Sequence, residues 1–167
     1  MSRGDAQKII DDWFSAMPKV KEYIDHQRKA ADRGDRQQTM FGRVRHYVRN
    51  DENAFHIQNE YINTPIQSMA SDLTVNSLIT IHSWLVEQGL YDPLHPLDSA
   101  ARIVITVHDS IVLEVRDDEE LVKKVAKYCQ WVMADVPQRM IPNCPLPFKA
   151  DIETGYAWGN VDEPDWA

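Results

Sequence analysis

Residues 103–115 contain two β-branched apolar runs that meet at the dipeptide His108-Asp109. Valine, isoleucine and threonine favour strands and an Asp-Ser pair favours a turn, so this segment predicts a tight hairpin. The hairpin would carry the Asp109 carboxylate at the tip of a buried sheet. Such a carboxylate is either a common turn residue or a ligand for a metal ion that prefers oxygen donors at a rigid point. The hairpin alone leaves both interpretations open, with the turn residue the commoner case.

Two helices are predicted near the start of the chain. Ser2 followed by Asp5 is typical of a helix cap, and apolar residues recur at helical spacing after it. Pro18 fits the first turn of a second helix, which runs to about Gly34.

A small hairpin is predicted at residues 36–48, with its turn at Gly42. An arginine cluster lies on and just after it, formed by Arg43, Arg45 and Arg49. These side chains either protect a solvated strand edge or contact phosphate groups, and we favour the first interpretation.

A long apolar pattern of helical spacing runs over residues 51–88, and Gly89 ends it. Pro65 lies inside the pattern and costs about 3 kcal/mol in a regular helix, so the segment predicts two helices or one kinked helix. Residues 90–101 are predicted to form a loop that leads into the hairpin at 103–115.

The C-terminal third predicts one helix and one strand. Asp117 and Asp118 mark the start of a helix, and Pro137 is expected to close it. A last strand at residues 148–152 should join the sheet. Together these elements predict an α+β fold, in which long helices back an antiparallel sheet.

Charge is distributed unevenly along the 167 residues, although this length fits a single domain. Residues 1–49 carry 11 Lys and Arg against 7 Asp and Glu, a net of +4, whereas residues 50–167 carry 7 against 19, a net of −12. Residues 50–167 should not bind nucleic acid tightly by themselves, because phosphate binding relies on clustered lysine and arginine. They form either a solvated acidic surface or a cation-binding region that needs basic neighbours.

Several classes of protein are excluded by composition. The longest aliphatic run is far shorter than the roughly 20 residues that span a bilayer, and no secretion signal is recognisable. We therefore expect a cytoplasmic protein with no membrane partner. Cys129 and Cys144 form neither a metal-binding pair nor a disulfide framework, so no zinc site is expected.

Three blocks of residues occur in an order that is typical of one enzyme family. The first block is residues 4–23, where Asp-Ala-Gln-Lys precedes Trp-Phe and Met-Pro-Lys-Val-Lys-Glu-Tyr. The second block is residues 63–72, which read Asn-Thr-Pro-Ile-Gln-Ser-Met-Ala-Ser-Asp. The third block is residues 107–109, which read Val-His-Asp. The blocks resemble the fingers helices, the Asn-x-Pro-x-Gln palm helix and the Val-His-Asp-Glu hairpin of family A DNA polymerases, the group typified by bacterial DNA polymerase I. Residues 150–158 are similar to the family's terminal strand.

The resemblance implies a partial polymerase palm joined to a helical remainder of the fingers. Residues 1–50 would be the C-terminal end of the fingers subdomain, and residues 51–167 the palm with its catalytic hairpin at 103–115. The Gln-Ser form of the second block favours a phage-type enzyme, which would act in the host cytoplasm.

The resemblance also implies roles for individual residues. Asp109 resembles one of two aspartates that hold a pair of Mg²⁺ ions, which activate the primer 3′ hydroxyl and neutralise the triphosphate. His108 resembles the residue that contacts the primer terminus. Asn63 and Gln67 resemble minor-groove readers of DNA on one helical face, and Pro65 would be the kink that aims them.

Departures from the family pattern concern the metal site and the DNA contact. Ser110 replaces the glutamate that usually follows the hairpin aspartate, and Asn59 stands where an arginine is common. The family's Asp-Tyr-Ser-type motif and its triphosphate-binding Arg-x-x-x-Lys helix have no counterpart in the sequence.

The resemblance therefore predicts the C-terminal subunit of a split DNA polymerase that is inactive alone. Its partners would be primer-template DNA, a dNTP and a complementary N-terminal fragment that carries the other catalytic aspartate and the dNTP-binding helix. The Mg²⁺ site would be shared with that fragment. Apolar surface is expected to be exposed where the fragment packs.

Two other classes stay open. A non-catalytic, polymerase-associated assembly factor that binds DNA is favoured by Ser110 and Asn59. A self-contained metal-dependent nuclease would use Asp109 with Glu114 or Asp151, although no second acidic cluster with nuclease spacing supports it.

Overall fold

The computed structural model describes residues 2–166 and has the α+β architecture that the sequence predicts. Its helices are α1 (Arg3–Ala16), α2 (Pro18–Arg33), α3 (Ala54–Glu87) and α4 (Glu119–Met140), with one 3₁₀ turn at Pro96–Asp98. Its strands are β1 (Gln37–Gln38), β2 (Val44–Arg45), β3 (Ala101–Val107), β4 (Ser110–Val115), β5 (Thr154–Ala157) and β6 (Asn160–Asp162). The strands pair as three antiparallel hairpins, β1 with β2, β3 with β4 and β5 with β6.

The chain forms two compact units, divided between residues 69 and 70, and not the single domain that its length suggests. Helix α3 contributes residues to both units. The boundary predicted between residues 50 and 51 separates the fingers and palm subdomains of a polymerase, and it stays a prediction.

The first unit begins with the two predicted helices. The Ser2 side chain accepts a hydrogen bond from the Asp5 amide while the Asp5 carboxylate accepts one from the Ser2 amide, which completes a capping box. Pro18 lies in the first turn of α2, and Gly34 ends α2 with φ of +70°, a left-handed conformation that favours glycine. The core of this unit packs α2 against α3 through Ala30, Ala31, Ile57 and Tyr61.

The core of the second unit joins α3, α4 and the β3–β4 hairpin. Its buried members come from α3, β3 and α4: Ile81, Leu85, Ala101, Val125, Val132 and Val136. Asp118 caps α4 through a hydrogen bond from the Leu121 amide to its carboxylate, as the predicted helix start requires.

The β3–β4 sheet is half exposed, so the prediction of a buried sheet is wrong for the part of the chain that the structure describes. Ile103, Leu113 and Val115 pack on the core of the second unit. Val104 and Ile105 are 51% and 41% exposed, because this sheet has two strands and the core covers one face. Exposed apolar surface was predicted, and α1 also shows it, since none of its residues is buried.

The predicted end of the last helix is also wrong. Pro137 lies inside α4, which continues to Met140 and ends before Ile141, where the backbone is extended. The residue before a proline disfavours helix, so Pro142 explains this end better than Pro137 does.

Residues 148–152 form no strand and join no sheet. Ile152 is buried, and the Gln130 side chain of α4 donates a hydrogen bond to the Ala150 carbonyl at 2.9 Å. The segment is therefore held by side chains instead of a strand partner, and the later strands β5 and β6 pair with each other. Among residues 2–166, no helix has the length and apolar character needed to cross a membrane.

Candidate active site

The tip of the β3–β4 hairpin is a two-residue loop. Val107 pairs with Ser110, which leaves His108 and Asp109 as the loop. His108 has φ of +56°, in the left-handed region, where histidine occurs more often than most residues do. Two-residue hairpin loops need such a backbone to match the twist of the strands, and both loop residues are exposed.

The Asp109 carboxylate is exposed and has no hydrogen-bond or ion-pair partner among the residues that the structure describes. An aspartate that serves only a turn usually accepts a hydrogen bond from the backbone two residues on. Asp109 makes no such bond. Its oxygens are therefore available to a ligand.

Asp109 does not complete a metal site by itself. The described residues contain no group of three or more His, Cys, Asp or Glu side chains that could hold a metal ion. Glu114, the other acidic residue of the hairpin, accepts a hydrogen bond from Arg102 Nε at 2.8 Å. A single carboxylate cannot offset the repulsion of two divalent ions, so the residues present do not fit a Mg²⁺ pair without further ligands.

Asn63 and Gln67 lie one helical turn apart on α3, and both are exposed. Neither amide has a hydrogen-bond partner within the described part of the chain. Tyr61 and Thr64 lie on the buried side of the same turns. The helix therefore presents the two amides together.

The structure brings the predicted residues together in two pairs. His108 and Asp109 belong to the second unit, and Asn63 and Gln67 belong to the first. The predicted roles of all four residues stay predictions.

Two of the predicted arginines form ion pairs within the chain. Arg45 lies 2.6 Å from Glu60, and Arg49 lies 3.0 Å from Asp32 while also donating to the Ala31 carbonyl. These contacts favour the structural interpretation over phosphate contact for both side chains.

Sequence reasoning missed a set of polar side chains beneath Asn63. Gln37 is buried, and it accepts a hydrogen bond from Tyr47 and donates one to the Tyr61 carbonyl. Burial raises the pKa values of Tyr47 and Tyr61, so both phenols remain protonated donors at neutral pH. The one signal in the sequence was Pro65, which leaves a helix carbonyl in need of a donor.

Comparison with known sequences gives a match over almost the whole chain. The family model described as DNA polymerase family A matches residues 1–160. The chain is 31% identical over 172 residues to a DNA polymerase of Bacillus phage SP01, covering 98% of this chain and 17% of that protein. It is 30% identical over 166 residues to DNA polymerase I of Chloroflexus aurantiacus, covering 96% of this chain and 16% of that protein.

A solved structure has a similar fold. It is the POL domain of Pol1 from M. smegmatis in complex with DNA primer-template and dNTP, with a TM-score of 0.66 and 21% sequence identity. The similarity covers 81% of this chain and 23% of that one. The chain thus spans about one sixth of the length of the curated relatives it matches.

Proposed function

Because this chain belongs to the family A DNA polymerases, we propose that it supplies the C-terminal part of a template-directed DNA polymerase, with Asp109 as a catalytic metal ligand. The observation that carries this proposal is the exposed carboxylate of Asp109, which has no partner among residues 2–166 and stands at the tip of a two-residue hairpin loop. An exposed carboxylate with no partner at a fixed point of the backbone supports the role of a ligand, because Mg²⁺ prefers anionic oxygen donors.

The proposal requires anionic ligands beyond this chain's hairpin. Asp109 would share a Mg²⁺ pair with carboxylates of a complementary polypeptide segment, which would also provide the dNTP-binding helix. The exposed apolar side chains of β3, such as Val104 and Ile105, support association with further protein.

The remaining predicted residues would act on the primer-template. Every base pair presents acceptor atoms in the minor groove, so the amide donors of Asn63 and Gln67 would test the shape of a pair without reading its sequence. His108, adjacent to Asp109, would contact the primer terminus.

Primer extension by a reconstituted complex tests this proposal. The chain is mixed with a segment taken from the preceding part of a family A relative, and extension is measured with Mg²⁺ and dNTPs. We expect no extension by the chain alone, and we expect Asp109→Asn to lower the rate of the complex at least about a hundredfold.

A matched control is Asp98→Asn, which removes an exposed carboxylate far from the hairpin tip in sequence. It should leave the extension rate unchanged. Wild-type rates for Asp109→Asn in a complex that still binds primer-template would overturn the ligand role.

The assembly-factor alternative is favoured by Ser110, which removes a second carboxylate from the tip. It predicts that the complex forms and binds DNA with or without Asp109 and that neither form extends a primer. The nuclease alternative is weakened by the ion pair between Glu114 and Arg102. Degradation of DNA by the chain alone with Mg²⁺ would support it and contradict a polymerase role.

A further inference from the structure

Pro65 leaves one carbonyl of α3 without its helical donor. In an α-helix the Tyr61 carbonyl accepts from the N–H four residues on, and that position is occupied by Pro65, which has no N–H. The Gln37 side chain supplies the missing donor, because its Nε2 lies 2.7 Å from the Tyr61 carbonyl oxygen. This contact is buried, where an unpaired carbonyl is costly.

The Gln37 amide is itself held in one orientation. The Tyr47 hydroxyl donates to its Oε1, and its Nε2 also donates to Gln27 Oε1 at 3.2 Å. The Tyr47 hydroxyl further lies 3.0 Å from the Oγ1 of buried Thr64, which adjoins Asn63 on α3. Both ends of the amide are thus paired, and its donor is fixed on the Tyr61 carbonyl.

The next carbonyl of α3 has a side-chain donor as well. The hydroxyl of Tyr23, in α2, lies 2.8 Å from the Ile62 carbonyl oxygen and donates to it. Side chains from α2 and β1 therefore hold the two carbonyls that immediately precede Asn63. These two hydrogen bonds lie on the helical turn in which Pro65 removes a backbone hydrogen bond.

We propose that Gln37 is a positioning residue, whose amide replaces the helical hydrogen bond that Pro65 cannot make and so fixes the directions of Asn63 and Gln67. This inference deepens the proposed function and rests on it. Asn63 lies two residues before Pro65 and Gln67 two residues after, so any change of the backbone at Pro65 re-aims one amide relative to the other. Contacts to base edges depend on alignment, and small displacements weaken them.

Amide hydrogen exchange in the 167-residue chain tests the link between Gln37 and Pro65. Gln37→Leu should speed exchange of residues 62–69 about tenfold, because the Tyr61 carbonyl loses its donor. Pro65→Ala returns an N–H to the helix, so adding Gln37→Leu to that variant should have a much smaller effect. Equal effects of Gln37→Leu with and without Pro65→Ala would overturn the link.

The matched control is Gln38→Leu. Gln38 is the neighbouring residue of β1 and is exposed, and its side chain donates to the Gly42 carbonyl of its own hairpin at 3.5 Å. Its substitution should leave exchange in residues 62–69 at the wild-type rate. Faster exchange there would indicate that β1 acts as a whole and would contradict a specific role of Gln37.

Primer extension by the reconstituted complex tests the functional consequence. The measured quantity is the ratio of extension rates for matched and mismatched primer termini, well below the unfolding temperature. Gln37→Leu should lower this ratio about tenfold, as should Asn63→Ala, and the double variant should lose little more than either alone. A purely structural role would lower thermal stability and leave the ratio unchanged, which would overturn the proposal.

Failure of the two proposals can be told apart. A wild-type complex that extends matched and mismatched termini equally overturns the proposed use of Asn63 and Gln67, whatever the exchange data show. A wild-type complex that discriminates, together with a Gln37→Leu complex that discriminates equally well, overturns the role of Gln37 alone.

Discussion

At the scale of the residue, the backbone conformation of His108 sets the shape of the turn that carries Asp109. Its φ of +56° is tolerated by histidine and would strain a β-branched residue, which explains why the run of valine and isoleucine stops there. The sequence predicted this turn well, because turn signals are local. It could not show that Asp109 lacks a partner among residues 2–166, because that depends on the positions of all side chains around the tip.

Cys129 provides a prediction about reactivity. Burial raises the pKa of its thiol to about 12, from an ordinary value of 9.0. Because the thiolate is the reactive form, alkylation at pH 8 should be about a thousandfold slower in the folded chain than in urea. Mass spectrometry of the Cys129 peptide, in a Cys144→Ala background, measures both rates. Rapid labelling of the folded chain would contradict the raised pKa of this half-buried thiol.

The same shift predicts how stability depends on pH. The folded state holds the Cys129 proton more tightly than the unfolded state does, so this contribution is complete below about pH 9 and is lost between about pH 9 and 12. Urea unfolding at several alkaline pH values should show that the free energy of unfolding falls less with rising pH in Cys129→Ala than in the wild type. Tyr23, Tyr47, Tyr61 and Tyr128, whose pKa values burial also raises, contribute to the decline that remains in the variant.

At the scale of the element, local signals predicted starts and turns better than ends. The cap at Ser2, the helix start at Pro18 and the stop at Gly34 all lie where the sequence places them, because each acts on its own neighbours. Pro137 was expected to end α4, yet Val136 and Pro137 are buried in the second unit. Packing of that turn outweighs the local penalty of proline, which no local pattern can show.

Strand pairing was the least predictable part of the fold. The apolar residues around Ile152 suggested a strand, but a strand needs a partner whose edge is free, and pairing partners lie far apart in sequence. For the candidate site, the resemblance supplied Asn63 and Gln67. It did not supply Gln37, whose contact with the Tyr61 carbonyl joins two residues that lie 24 positions apart in the sequence.

Helix α4 offers a test of its cap. Asp118→Ala removes the acceptor for the Leu121 amide and should lower the free energy of unfolding of the second unit by about 1 kcal/mol. Asp117→Ala, one residue earlier, removes an acidic side chain that makes no bond to the helix N-terminus and should change stability much less. Urea denaturation followed by the circular dichroism of the helices compares the two variants. Equal losses would show that charge near the helix start, and not the cap, provides the stability.

At the scale of the whole molecule, the distribution of charge limits how the chain meets DNA. Its net charge is −8, and its basic excess is confined to residues 1–49. Within that part, Arg45 and Arg49 are already paired with Glu60 and Asp32. Such arginines release few counterions from DNA unless their ion pairs break, so most phosphate contacts of a working polymerase would come from the complementary segment.

The salt dependence of DNA binding follows from this distribution. The apparent affinity for primer-template, measured by fluorescence anisotropy, should fall with a log-log slope of magnitude below about 2 for the chain alone and a steeper slope for the reconstituted complex. Asn63→Ala should weaken the complex about tenfold at every salt concentration without changing its slope, because an amide that contacts a base edge neutralises no phosphate. A steep slope for the chain alone would mean that its basic residues leave their ion pairs to bind phosphate. A changed slope in Asn63→Ala would mean that this substitution also displaces charged side chains from phosphate, and would contradict a contact confined to a base edge.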